Sequence, residues 1–237
     1  MEVPKILRRG SGASIVSALG ACFVAVLLLS LSIPRFIAAL TEVPGNVTLR
    51  AIGDRNPVTR KDLERLVKSR EAAAAWIGSS RLRGDLALAR LMLWEGRASG
   101  GPRAAAQLEI AISDLRDSLA HAPANPYAWA RLALARKLFG HSGVDASRAL
   151  AMSFLTGPRE PELIEIRTRL TFDLWPAISA EDRRLAQSHI RFGFLVNPRL
   201  IVSLAGETVA RGIVKDALAA SPGQLRKFEN LIRRKRT

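Results

Sequence analysis

Few residues of this chain are of a type that could do chemistry, and their spacing does not gather them. The three histidines, His121, His141 and His189, are far apart, and each reads as lying at a helix end or on a polar face. None has a second His or a Cys at the short fixed spacing that a metal site requires, so no metal ligand is expected. Glu160, Glu162 and Glu165 form an acidic cluster. Their i, i+2, i+5 spacing spreads them around a helix and off any single face, which predicts a solvated surface. Cys22 is the single cysteine, which excludes an intramolecular disulfide and any Cys-based zinc site. There is no Gly-x-Ser-x-Gly elbow and no phosphate-cradling glycine loop after a strand. The chain therefore reads as a binding protein and not an enzyme, with no catalytic residue, metal, cofactor or small-molecule substrate expected.

Composition says what kind of scaffold carries that binding. The 237 residues are 48% hydrophobic but only 5% aromatic, and β-branched runs are scarce, which favours one helical domain plus an apolar segment. The net charge is +15, and its excess is nearly all arginine, since only Lys5, Lys61, Lys68, Lys137, Lys215, Lys227 and Lys235 are lysines. Abundant Arg and Ala also follow from GC-rich codons. The charge is thus as compatible with genome composition as with a polyanionic partner, and it says nothing of fold.

The apolar segment is N-terminal. Lys5, Arg8 and Arg9 precede a stretch from Gly10 to Pro34 with no ionisable side chain except Cys22. Roughly 20 residues at about 1.5 Å each cross a hydrocarbon core, so 13–34 is expected to be a transmembrane helix. Three cations before it, against Arg35 alone just after it, place 1–12 in the cytoplasm and the bulk of the chain outside. A cleaved signal peptide with its site near Ala38-Ala39 is a weaker reading. Leu19-Gly20-Ala21-Cys22 also resembles a bacterial lipobox, but the strongest apolar run, Phe23 to Leu31, follows the cysteine where a polar tether would begin. Cys22 is read instead as a small residue buried in the membrane helix. Pro44, Gly45, Gly53, Asn56 and Pro57 then mark 35–57 as a linker, and the Asn46-Val47-Thr48 sequon within it is read as accidental.

A helical domain follows. Thr59 with Asp62 makes a capping box; Leu63, Leu66, Val67, Ala73, Ala74 and Ile77 trace one stripe, and Gly78-Ser79-Ser80 breaks it. A second helix carries Leu82, Leu86, Ala89, Leu93 and Trp94 and ends in a long loop from Glu95 to Pro102. The most informative stretch is Ala111 to Ala133, AISDLRDSLAHAPANPYAWARLA. Ala111, Leu115, Ser118 and Leu119 fall on one buried stripe, Pro123 stops the helix, and Asn125-Pro126 caps the next. In that next helix Trp129 is a bulky knob, with Leu132 and the small Ala133 beside it.

This order of small and large residues resembles the junction of two tetratricopeptide repeats, helix B to helix A, in a family whose repeats run about 34 residues. The resemblance implies an all-α right-handed solenoid of helical hairpins over 58–175, after the transmembrane helix. Gly140 stands where the family favours glycine between its two helices, and Ala146, Leu150, Ser153 and Pro158 echo Ala111, Leu115, Ser118 and Pro123 one residue late. The resemblance also implies a concave groove that takes a protein partner, faced by Tyr127, Ala130, Leu134 and Lys137. Beyond Pro158 it thins: Leu163, Ile166 and Leu170 are spaced like a third helix A, but Arg167 stands where a small residue belongs.

Residues 176–237 read as further helices, one opened by Ser179 with Asp182, a short one by Asn197-Pro198, one over Glu207 to Ala219, and a last capped by Ser221-Pro222 and Gln224. The tail Arg233, Arg234, Lys235 and Arg236 is a charge run. Two functions fit. One is a single-pass bacterial inner-membrane scaffold whose domain holds a protein partner of an envelope assembly on the periplasmic side, such as polysaccharide synthesis and export or secretion. The alternative is a basic membrane-anchored module that binds an anionic polymer or lipid head groups, with the tail as its site.

Overall fold

Helix is the only regular structure among the described residues. A computed structural model describes residues 11–54, 56–95, 102–206 and 208–236, and among these no strand occurs. Lys5, Arg8, Arg9, residues 96–101 and Glu207 lie outside the described residues, as do the side chains of Lys235 and Arg236.

The first helix, α1 (Ser11–Gly53), runs 43 residues and is long and apolar enough to cross a membrane. Its most apolar window has a mean hydropathy of 2.2 and is almost wholly exposed, as expected of a helix solvated by lipid. Cys22 lies on this exposed surface and not inside the protein. The helix stops at neither Pro34 nor Pro44, so the stretch to Gly53 is not the irregular linker its turn-forming residues predict. Packing explains the difference. Ala38, Glu42, Gly45 and Thr48 recur on one face of α1, and all four are buried against α2 (Arg60–Ala74). A proline inside a helix costs ~3 kcal/mol, an amount that burial of several side chains offsets. Glycine is required at 45, because a Cβ there would sit 2.1 Å from Ser69 Oγ of α2.

Arg70 locks this junction. It is fully buried and its guanidinium donates to the Glu42 carbonyl (2.9 Å), to Asn46 Oδ1 (2.7 Å) and to Asp85 Oδ2 (3.0 Å). Three helices meet on one side chain, since Asp85 belongs to α3 (Ser80–Glu95). The Asn46 of the sequon is thus helical and engaged.

The chain continues through α4 (Pro102–His121), α5 (Pro126–Phe139), α6 (Gly143–Thr156), α7 (Ile164–Leu174), α8 (Ala180–Val196), α9 (Pro198–Leu204), α10 (Thr208–Leu218) and α11 (Pro222–Arg236). Capping follows the sequence: Thr59 and Asp62 form the capping box, Asn125, Ser142, Ser179 and Asn197 cap with their side chains, and Gly140 ends α5 at φ 79°. From α1 to α6 each helix packs on the next, while α3 also touches α5 and α5 touches α7. One core runs from α3 to α8 and a second joins α7 to α11, where the Phe194 and Phe228 rings meet edge to face at 6.0 Å.

The two hairpins α3–α4 and α5–α6 share one set of contacts. Ala111, Leu115 and Ser118 on α4 are fully buried, and so are their counterparts on α6, with Ala146 and Leu150 at 1% exposure or less and Ser153 at 0%. Ser118 donates to the Ser80 carbonyl at the start of α3 (2.8 Å), and Ser153 to the Pro126 carbonyl at the start of α5 (2.7 Å). Leu132 and Ala133 are buried between hairpins, whereas Pro123 is exposed and Trp129 is half-buried, its Nε1 donating to the Pro123 carbonyl at 2.8 Å.

Candidate partner-binding cleft

The odd-numbered helices carry the cleft. Leu88, Leu91 and Met92 on α3 form one wall, Ala130 and Leu134 on α5 the floor, and Leu163 and Ile166 the other wall, around a volume of about 560 Å³. Ile52 and Gly53, at the end of α1, also line it. The helical spacing explains the lining: positions 127, 130, 131 and 134 fall within one turn or two on the same side of α5. Buried alanines at 128, 133 and 135 occupy its other sides and let the neighbouring helices approach closely.

Three polar side chains, Tyr127, Arg131 and Glu162, line this otherwise apolar setting. Arg131 is half-buried and donates through Nη1 to the Gly84 carbonyl of α3 at 3.2 Å. Burial pulls its guanidinium below the ordinary value, against the opposing influence of Asp85 and Tyr127. Tyr127 stands at the rim. Its hydroxyl lies 3.0 Å from both Glu160 Oε2 and Glu162 Oε2 and can donate to one at a time. Burial first, then those two carboxylates, push the phenol well above its usual range, so it stays protonated. Glu160 and Glu162 are therefore not merely solvated, as their spacing predicts: they meet one hydroxyl from the facing helix. Glu165 does face water, paired with Arg169 at 3.0 Å.

No protein-family model and no curated protein matches the chain. What the cleft can hold is set by its own lining.

Of the groove residues named from the sequence, Tyr127, Ala130 and Leu134 line this volume together. Lys137 does not line it; its ammonium pairs with Asp173 of α7. Arg131, absent from that set, is the cation among the lining residues, and its position one residue after Ala130 was the only signal of it. The tail lies elsewhere, with Arg233 and Arg234 exposed on α11. Among the described residues no three His, Cys, Asp or Glu side chains converge as metal ligands do.

The histidines divide. His121 ends α4, its Nδ1 2.8 Å from the Asp117 carbonyl, and His141 stacks on Phe139 at 5.0 Å. His189 is neither at a helix end nor on a polar face. It is 2% exposed, 5.1 Å from the Phe154 ring, in step with the buried Ala186, Ile190 and Gly193 of α8. Neither ring nitrogen has a well-formed partner among the described residues, although the Ile164 backbone lies close enough to favour the charged form slightly. Burial, reinforced by the Arg167 cation, lowers this imidazole to about 3.

Arg167, which interrupts the repeat pattern in the sequence, is the anchor of α7. It is fully buried, with Nε donating to Ser153 Oγ (2.9 Å), Nη1 to the Gly157 carbonyl (2.7 Å) and Nη2 to the Ser153 carbonyl. Burial lowers it to about 10, partly offset by Glu160 and Tyr127.

Proposed function

We propose that this protein is a single-pass scaffold of a bacterial inner membrane, with its N-terminus in the cytoplasm, and that its periplasmic domain is a TPR-like solenoid. Its cleft takes an apolar segment of a protein partner in a cell-envelope assembly, such as polysaccharide synthesis and export or secretion. The observation that carries the reading is the cleft itself. Three non-consecutive helices, α3, α5 and α7, contribute to one largely apolar volume, and stacked helical hairpins have this consequence because their first helices share the concave side. Recurrence of the Ser118 and Ser153 contacts at equivalent places supports a repeated hairpin.

The membrane placement has a second support. Ala38, four residues past Pro34, packs with Ala73 and Leu82, which brings the turn between α2 and α3 next to the end of the apolar span. Trp76 in that turn is 48% exposed, the placement of an interfacial tryptophan at the head-group level.

The test of this reading uses the full chain in its native membranes. A reporter active only outside the cytoplasm, fused after Thr237, is active. Met92→Arg, which places a second cation beside Arg131, abolishes co-purification of the partner while helicity and melting are kept. An active cytoplasmic reporter overturns the topology, and unchanged co-purification overturns the cleft.

A further inference from the structure

The face of α1 that points away from α2 has no partner among the described residues. Phe36, Leu40, Val43 and Val47 are 64%, 55%, 57% and 68% exposed. At 3.6 residues per turn they form one narrow stripe, about half a turn around α1 from the buried Ala38, Glu42, Gly45 and Thr48. Their spacing is 4, 3, 4, which is the a/d repeat of a coiled coil, and it continues back through Val26, Leu29 and Ile33 in the same register. Within the apolar span such a stripe carries no information, because every face there is apolar. Beyond it the stripe is distinct: Glu42 and Thr48 share these turns of helix and lie on other faces.

Lipid head groups reach Phe36 but not Val43 and Val47. Val47 is 13 positions beyond Pro34, about 20 Å along the helix, whereas the head-group region extends only ~5–8 Å past each edge of the hydrocarbon. A second copy of the chain does fit. Two copies inserted the same way in one membrane hold their α1 helices parallel, and a two-fold axis along the membrane normal sets the same stripe against itself. Beyond the apolar span the a positions are then Leu40 and Val47, with Phe36 and Val43 at d, so the stripe meets its copy with apolar side chains throughout. Because α2 packs on the opposite face, the remaining helices lie to the outside and leave the seam open.

We propose that two copies of this chain pair in parallel along the a/d face of α1, from within the membrane to Val47, as a membrane-rooted coiled-coil dimer. In this register Cys22, the single cysteine, falls at a d position facing its counterpart across the axis.

Oxidative cross-linking of the full chain in its native membranes tests the pairing, read as a species of twice the 25.8 kDa chain mass that reductant dissolves. The expected result is cross-linking through Cys22 and, in a Cys22→Ser background, through Val43→Cys outside the bilayer. Cross-linking through Val24→Cys, on the far face, is at least about five-fold weaker. Adding Val47→Glu to the Val43→Cys chain lowers its cross-link by about the same factor, since a carboxylate at an a position faces its copy, while Val47→Leu keeps it. Equal cross-linking at positions 22 and 24 means random collision and overturns the proposal. So does cross-linking at 22 without any at 43, which confines contact to the membrane, and so does a Val43→Cys cross-link that Val47→Glu leaves unchanged.

Discussion

The Ser153 hydroxyl donates to the Pro126 carbonyl at 2.7 Å, tying the end of α6 to the start of α5. The same oxygen accepts from Arg167 Nε at 2.9 Å, so a single buried hydroxyl fixes the hairpin and carries α7 onto it. In the preceding hairpin Ser118 makes the first contact, to the Ser80 carbonyl, and among the described residues no arginine donates to its hydroxyl.

That difference yields an ordered prediction. Ser118→Ala should cost about 1–2 kcal/mol, the usual result of leaving one buried carbonyl unpaired. Ser153→Ala should cost more, about 2–4 kcal/mol, because Arg167 loses an acceptor in a fully buried place. Arg167→Ala exceeds both, while Arg167→Met, which keeps the volume and removes the charge, falls below Arg167→Ala. Denaturant unfolding of the four variants checks the order, and equal costs at 118 and 153 would contradict the shared role.

The second half of α1 belongs to the domain, and a fragment series measures this. A fragment starting at Arg35 should be more stable than one starting at Pro57 by about 3–5 kcal/mol, since the shorter one leaves Arg70 without Glu42 and Asn46. Equal stability of the two fragments would return 35–57 to the status of a linker.

His189 sets a pH dependence whose sign follows from its lowered value of about 3 against about 6.5 when unfolded. Above pH 6.5 the ring is neutral in both states and its place in the core is fully stable. As pH falls from 6.5 towards 3 the unfolded chain takes up the proton first, so stability declines across that window. His189→Phe, which stacks on Phe154 and needs no hydrogen bond, should flatten the decline in melting temperature between pH 6.5 and 4. An unchanged slope would place the titrating group elsewhere.

Much of the helical order was legible in the sequence because caps are local. Thr59 with Asp62, Asn125 before Pro126, Gly140 and Ser179 each act within a few residues, and each does in the structure what its type predicts. The continuation of α1 was not legible, because Pro44 and Gly45 argue against a helix locally and only the close approach of Ser69, 24 residues on, reverses them. The arginines were legible only as charge. Arg70, Arg90 and Arg167 are in fact buried and bonded to other helices, Arg90 reaching both Glu71 (2.7 Å) and Asp114, so part of the basic excess is internal structure. The cleft was half legible: helical spacing brought Tyr127, Ala130 and Leu134 to one side, but the walls on α3 and α7 and the pairing of Lys137 with Asp173 depend on how helices stack.

The central claim, that the cleft between α3, α5 and α7 receives a protein segment, is tested most directly by a photo-activated cross-linking residue at Leu134 in the membrane-embedded full chain. A control carries it at Arg148, exposed on α6. A discrete protein adduct is expected at 134 and none at 148. That adduct should persist in high salt and with Arg233, Arg234, Lys235 and Arg236 all changed to Gln, because apolar burial is not screened. An adduct at 148 but not at 134, or one at 134 lost on adding salt or on neutralising the tail, would contradict it and favour a polyanion-binding surface.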